Sequence, residues 1–257
     1  MYRYEYPRPA VTVDVVIFSM RADDLVVLLV KRKLAPYKGQ WALPGGFVNP
    51  NESLDRACAR ELEEETGLSN VRFQQLGAFG DPGRDPRGHT ISVAFFTFIV
   101  AESAILRAGD DAAEVAWHPL ANLAKELPTG THPAPGRRAK APRAAVGKGG
   151  KPPRPSRATK KGTIDLAFDH RRIIDMAQMC LVERLRDPTR AASFDLVPSH
   201  FTMSELQRVY EVVLQHPLDK RNFRAKLLAA HLIEPASASR RGPHRPAQLY
   251  RWKGAAR

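Results

Sequence analysis

The stretch Gly46-Phe47-Val48-Asn49-Pro50-Asn51-Glu52-Ser53-Leu54-Asp55-Arg56-Ala57-Cys58-Ala59-Arg60-Glu61-Leu62-Glu63-Glu64-Glu65-Thr66-Gly67-Leu68 decides how the rest of the chain is read. From Ser53 to Thr66 it has no proline or glycine and is rich in Ala, Leu, Glu and Arg. Followed by Gly67, it is expected to be a helix with a glycine stop. Either Asn51 or Ser53 can cap its start. Leu54, Cys58 and Leu62 recur at i, i+4 and i+8 and make an apolar stripe. Glu61, Glu64 and Glu65 recur at i, i+3 and i+4, and their face overlaps that stripe. A solvated acidic helix would turn its acids away from the core. Carboxylates crowded beside apolar surface repel one another and are costly to desolvate. A bound hard cation, which takes oxygen ligands, removes both costs. Arg60 lies one turn before Glu64 and can steady it. The preceding Leu43-Pro44-Gly45-Gly46 lets the backbone approach a ligand closely, because glycine has no side chain in the way.

Working outward, 257 residues with 43% hydrophobic content allow one large or two small domains with a buried core. No apolar run reaches the roughly 20 residues that span a bilayer, and the start MYRYEYPRPA has no signal-peptide core. No membrane association and a cytoplasmic location are therefore expected. Cys58 and Cys180 lack metal-ligand spacing, and Cys58, on the stripe, is expected to be buried and reduced. The net charge of +13 is uneven: residues 1–127 carry −3, residues 128–163 carry +10, residues 164–199 carry −1 and residues 200–257 carry +7. The basic excess lies outside the acidic helix, which points to a nucleic acid partner more than to a substrate.

Val11 to Phe18, Leu25 to Val30 and Ile91 to Val100 read as strands, with Arg21-Ala22-Asp23-Asp24 as a turn. Trp41 to Val48 leads into the acidic helix. Ala116 to Leu120 starts the last part of this α/β domain, 1–127, followed by a helix from about Leu120 to Leu127. Residues 128–163 hold Pro, Gly, Lys, Arg and Ala with no acids, so they are expected to be a disordered basic linker. In the third segment, 164–257, Ile164 to Leu185 is spaced as an amphipathic helix. Phe201 to Gln215 is a second helix, with Thr202-Met203-Ser204-Glu205 as a capping box. Asp219 can cap a third, Lys220 to His231. Ser237 to Pro246 reads as a loop and Ala247 to Trp252 as a strand. Helix, tight turn, basic helix, basic loop and strand make a winged helix-turn-helix.

The pattern from Gly46 to Leu68 is G-x5-E-x7-R-E-U-x-E-E-x-G-U, with U aliphatic and every position filled. It resembles the signature of the Nudix hydrolases. Further segments narrow the resemblance: Tyr6-Pro7-Arg8-Pro9, Gly80-Asp81-Pro82-Gly83-Arg84-Asp85-Pro86-Arg87-Gly88-His89, Leu166-Ala167-Phe168-Asp169-His170, Lys220-Arg221-Asn222-Phe223-Arg224 and Arg245-Pro246-Ala247-Gln248-Leu249-Tyr250-Arg251. Together they are similar to bacterial Nudix proteins with a C-terminal winged helix. That group contains ADP-ribose pyrophosphatases and ADP-ribose-responsive repressors of NAD biosynthesis genes.

The resemblance implies a Nudix α/β/α sandwich followed by a winged helix-turn-helix domain, and hydrolysis of ADP-ribose or a related ADP-sugar to AMP and a sugar phosphate. The alternative it implies is an ADP-ribose-responsive repressor. Repressors of the group often have a damaged signature, whereas this one is complete, which favours the hydrolase. By resemblance, Mg²⁺ or Mn²⁺ would sit on Glu61, Glu64 and Glu65 with Gly45. Glu61 or Glu65 would be the base beside Arg60, with Asp111 and Glu114 as outside alternatives. Gly46, Arg84 and Arg87 would meet the substrate, although Arg84 and Arg87 also suit ion pairs with Asp81 and Asp85. Double-stranded DNA would be read by Arg221, Asn222, Arg224 and Lys226, with Arg240, Arg241 and Arg245 on the wing. Packing or dimerisation is the alternative use of that module. A homodimer is expected, since paired half-sites suit a two-fold reader.

Overall fold

The computed structural model describes residues 5–21, 23–101, 104–109, 112–125, 163–187, 197–240 and 247–253. In the first half, β1 (Ala10–Arg21), β2 (Asp24–Arg32), β3 (Trp41–Ala42), β4 (Gly45–Phe47), β5 (Gln74–Phe79), β6 (Thr90–Phe98) and β7 (Ala112–Pro119) form one mixed sheet. Its main path runs β3-β2-β1-β6-β5, with β4 on β1 and β7 on β2. The central pair, β1 and β6, is parallel.

The central strands read as unbroken apolar runs because both faces of the sheet are covered. Side chains alternate across a strand. Val13, Val15 and Ile17 of β1 pack with Ala57, Cys58 and Leu62 of α1 (Leu54–Thr66). Val16 and Phe18 face the other way, onto Ile173, Ile174, Ala177 and Leu181 of α2 (His170–Leu185). This is the expected α/β/α sandwich, with α1 and α2 as its outer layers.

The second half holds α3 (Met203–Leu214), α4 (Lys220–Ala229) and a small sheet ordered β8-β10-β9, where β8 is Phe201–Thr202, β9 Ile233–Arg240 and β10 Ala247–Trp252. This is a winged helix. Its buried Leu206, Val209, Tyr210 and Val213 belong to the same apolar cluster as α2 and the sheet. The two halves thus share one core, with α2 between them. The capping box of α3 is present, and Asp219 caps α4 by accepting from the Asn222 amide at 2.7 Å.

Several boundaries differ from the sequence expectations. The helix expected at 120–127 is only a 3-10 turn at Leu120–Asn122. Leu123 is extended and bridges to Ile164, and residues 126 and 127 lie outside the described residues. That bridge, with a second from Trp41 to Leu166, also takes the chain that was expected to begin the middle helix, so α2 starts only at His170. The strand expected from Ala116 already begins at Ala112. Phe201 sits in β8 rather than in the helix, since its backbone pairs with Tyr250. Ser237 to Arg240, expected as loop, continue β9. Of the linker expected at 128–163, residues 128–162 lie outside the described residues.

Candidate active site

The acidic helix is held at both ends by its own sequence. Ser53, not Asn51, is its N-cap and accepts from the Arg56 amide. Gly67 ends it in the left-handed conformation, φ 75°, which glycine adopts without steric cost. Between these caps, burial of Cys58 and Leu62 fixes the rotation of the helix and turns Glu61 and Glu65 toward β4.

There the two glycines act at close range. Glu65 Oε2 accepts from the Gly45 amide at 2.9 Å. The Glu61 carboxylate lies against Gly46 so closely that a Cβ on Gly46 would be 2.4 Å from Glu61 Oε1. The contact of Gly45 with Glu65 is through its amide. Burial pushes the Glu65 carboxyl up to about 8, against the pull of the Gly45 N–H. Burial also raises Glu61, opposed by Arg60.

Arg60 gathers the other acids. It donates to Glu52 at 2.8 and 2.9 Å, to Glu61 at 2.7 Å, to Glu64 at 3.1 Å and to the Phe47 carbonyl at 3.0 Å. Hydrogen bonds from Arg60 hold Glu52 down at about 2. Glu64 is turned outward, its side chain 58% exposed. The three glutamates are therefore not gathered on one point. Among the described residues, no group of three His, Cys, Asp or Glu side chains is drawn together as a ready metal cage. The donor chemistry nevertheless fits a hard divalent cation. Two half-buried carboxyls, both raised by desolvation, face a backbone loop that glycines keep open, and a cation there would favour their ionised forms. Glu61, Glu64 and Glu65 would hold it, and it would supply charge neutralisation and a more acidic bound water.

These groups open onto a cleft of ≈ 390 Å³. Arg84 and Arg87 line it, yet both are already paired. Arg84 donates to Asp169 at 2.6 and 3.0 Å and lies 3.7 Å from Asp14. Burial alone would lower the Arg84 guanidinium, and the Asp169 and Asp14 carboxylates outweigh it. Arg87 pairs with Asp85 at 2.7 Å, as the ion-pair alternative expected, whereas Asp81 pairs with Arg172. Glu114, an outside base candidate, is exposed and pairs with Lys31 at 3.4 Å away from the cleft lining, while Asp111 lies outside the described residues.

Sequence reasoning missed Asp14, Arg32, Phe168 and His170, all in the cleft wall. Asp14 had a legible signal, an acid inside an apolar strand. It accepts from Ser92 Oγ. His170 is fully buried, which lowers its pKa and keeps it neutral. The Leu43 amide donates to its Nδ1 at 2.8 Å, so the ring proton sits on Nε2, 3.5 Å from Asp14 Oδ1. Asp169 and His170 begin α2, so the helix that joins the two halves also builds part of the cleft.

On α4, Arg221, Asn222, Arg224 and Lys226 are exposed, opposite the buried Phe223 and Leu227. None of the three basic side chains forms an ion pair with a described residue. Arg221 and Arg224 line a shallow groove with Lys220, Ala225 and Leu228. Arg240 closes β9 opposite Ala247, and Arg241 and Arg245 lie outside the described residues. No described helix is long and apolar enough to cross a membrane.

A signature helix on a mixed sheet, a glycine loop against its acids and a C-terminal winged helix define the class, and comparison with known proteins agrees. The NUDIX domain model matches residues 8–137 and the NrtR DNA-binding winged helix domain model residues 193–252. The chain belongs to the Nudix family, among its members that carry an NrtR-type winged helix. It is 32% identical over 252 residues to the ADPR responsive transcriptional repressor NtrR of Acinetobacter baylyi, covering 96% of this chain and 84% of that protein. It is 46% identical over 120 residues to an ADP-ribose pyrophosphatase of Methanocaldococcus jannaschii, covering 47% of this chain and 68% of that one. Three solved structures are similar across most of the chain. A MutT/nudix family protein from Enterococcus faecalis has TM-score 0.70 and 29% identity, with 98% of this chain and 90% of that one covered. Shewanella oneidensis NrtR complexed with a 27mer DNA has TM-score 0.66 and 28% identity, with 95% and 93% covered. The Nudix domain of the same protein complexed with ADP ribose has TM-score 0.50 and 26% identity, with 68% and 90% covered.

Proposed function

We propose that the chain is a metal-dependent hydrolase of ADP-ribose or a related ADP-sugar, giving AMP and a sugar phosphate. The observation that carries this reading is the pairing of Glu61 with Gly46 and Glu65 with Gly45 at one cleft, in a signature with no acid missing. In this reading Glu61, Glu64 and Glu65 hold Mg²⁺ or Mn²⁺. Glu65, half-buried and held by the Gly45 amide, takes a proton from the attacking water, and Glu61 does so if Glu65 stays on the metal. Arg60 keeps Glu61 and Glu52 in place.

The second reading, an ADP-ribose-responsive regulator, is favoured by a separate observation. The winged helix is not tethered loosely: α3 packs into the core that α2 shares with the sheet, and α2 starts in the cleft wall. We propose that both readings hold in one molecule. The exposed basic face of α4 binds duplex DNA, as a homodimer on paired half-sites, and the occupant of the cleft sets the affinity. Turnover of ADP-ribose with and without Mg²⁺ tests the hydrolase, with Glu65→Gln and Glu61→Gln alongside. Wild type should release AMP only with the metal, and each variant should lose most of the rate. Equal rates in all three would refute the assignment.

A further inference from the structure

Arg32 differs from the other arginines of the cleft. Arg60, Arg84 and Arg87 each spend their guanidinium on carboxylates. Arg32 lines the same cleft but makes no ion pair with a described residue. Its Nε donates to the Pro36 carbonyl at 2.9 Å. That fixes one of a guanidinium's five N–H donors and leaves the outer ones free to take a ligand. The register of β2 against β7 shifts between Lys31 and Arg32, with Ala113 of β7 as the extra residue, so the regular pairing of the two strands is interrupted beside Arg32.

The guanidinium lies over an aromatic ring. Its carbon lies 4.9 Å from the centre of the Phe168 ring. Phe168 is itself fixed edge-on by Tyr37 at 4.8 Å and packs on His170 at 5.1 Å. Its backbone is left-handed, φ 55°, a conformation a bulky side chain adopts only when its surroundings hold it there. Those surroundings are the Ala167 amide bonded to the Trp41 carbonyl on one side and the Asp169–Arg84 pair on the other. A half-buried guanidinium that is positioned on two sides, with the Glu65, Asp85 and Asp14 carboxylates close enough to act on it but none of them bonded to it, still has N–H donors to offer an oxyanion.

We infer that Arg32 takes a phosphate oxygen of the ligand, and that Phe168 is its positioning residue. This rests on the reading that the cleft holds a nucleoside diphosphate. It gives the phosphate contact not to Arg84, one of the arginines expected to meet the substrate and already occupied by Asp169, but to a residue that no motif marked. It also means that the first residues leading into α2 sense whether the phosphate is present, because Phe168 stacks on the group that binds it.

The test is calorimetric titration of the full-length protein with ADP-ribose and with inorganic pyrophosphate, in EDTA, followed by steady-state kinetics with Mg²⁺. Arg32→Gln should weaken both ligands about 10- to 100-fold, the range of a lost charge-assisted hydrogen bond. Arg32→Lys, which keeps the charge but not the fork, should recover only part of this. Phe168→Leu should raise KM several-fold with a smaller change in kcat, and Phe168→Trp should restore it, an outcome that a purely structural role does not give. Unchanged affinity in Arg32→Gln, with wild type binding ADP-ribose, would overturn the inference and leave the hydrolase reading standing. Unchanged pyrophosphate affinity with an altered Mg²⁺ requirement would also overturn it, making Arg32 a counter-charge for Glu65. Failure of wild type to bind either ligand would overturn both readings.

Discussion

Gly46→Ala should separate activity from stability. A Cβ on Gly46 would lie 2.4 Å from Glu61 Oε1 and 2.5 Å from its Cδ and Oε2. Ordinary contacts of this kind need about 3.5 Å, so the carboxylate has to retreat by roughly 1 Å. The atoms displaced are the far end of a flexible side chain, so the β4 backbone can stay in place. Stability should therefore change by less than about 1 kcal/mol, helped by the lower entropy of the unfolded alanine chain. The retreat would disturb the 2.7 Å bond from Arg60 to Glu61 and move a carboxylate out of the cleft. A misplacement of about 1 Å at a reacting centre typically costs about 100-fold in rate, or ~2.7 kcal/mol. The assay is ADP-ribose turnover under saturating Mg²⁺, with urea unfolding on the same samples. The contrast is Gly45→Ala, whose Cβ would be 2.1 Å from the Val13 carbonyl oxygen, a backbone atom that cannot step aside. That variant should lose stability as well as activity. If Gly46→Ala keeps kcat within twofold of wild type, the Glu61 carboxylate is not where the chemistry needs it.

The Glu65 carboxyl stands at about 8 in the folded chain against an ordinary 4.5, so between those values folding takes up a proton. Stability of the metal-free protein should be complete below about pH 4.5 and fall as pH rises toward 8, by a few kcal/mol at most. His170, lowered by burial, acts in the opposite sense below its ordinary 6.5, so the difference between wild type and Glu65→Gln in urea melts with EDTA isolates the carboxyl. A difference that does not vary from pH 5 to 8 would contradict it. Leu181→Ala, in the fully buried seam of α2, should cost about 2–5 kcal/mol. A probe on the Nudix sheet and one on α3 should report the same transition, and two separate transitions would show that the core is not shared. Replacing Arg221, Asn222 and Arg224 together by Ala should abolish duplex binding in a gel shift. It should leave ADP-ribose turnover intact and the melting temperature nearly so, because these exposed side chains face away from the buried side of α4. Retained duplex binding would move the reading surface elsewhere.

Local signals carried much of the fold. The caps of α1, the capping box of α3 and the runs at Val11, Leu25 and Ile91 were legible because each depends on residues a few positions apart. What escaped depends on partners far along the chain. Strand β5, Gln-Gln-Leu-Gly-Ala-Phe, has no alternation to read because it is an edge strand defined by pairing with β6. Strand β9 carries Pro235, which a sheet edge tolerates and a sequence pattern marks as a break. The expected helix after Pro119 gave way to backbone pairing with Ile164. In the site, α1 and its glycine loop were legible from spacing alone. The partner of Arg84 was not, since Asp169 is 85 residues away. Arg32 was hidden because a strand-end arginine after an apolar run looks like any solvated end. What sets it apart from the other cleft arginines is that no described carboxylate is bonded to it.

The most direct test of the central claim, one molecule in which the cleft sets DNA affinity, is a gel-shift titration on fragmented genomic DNA at physiological salt, with and without ADP-ribose. The account predicts a sequence-preferring complex that ADP-ribose weakens by about 5- to 150-fold, the usual range of coupling between two sites. The weakening should fade as the ligand is hydrolysed in Mg²⁺ and persist with Glu65→Gln in its place. Absence of a sequence-preferring complex, or one that ADP-ribose leaves unchanged, would contradict it.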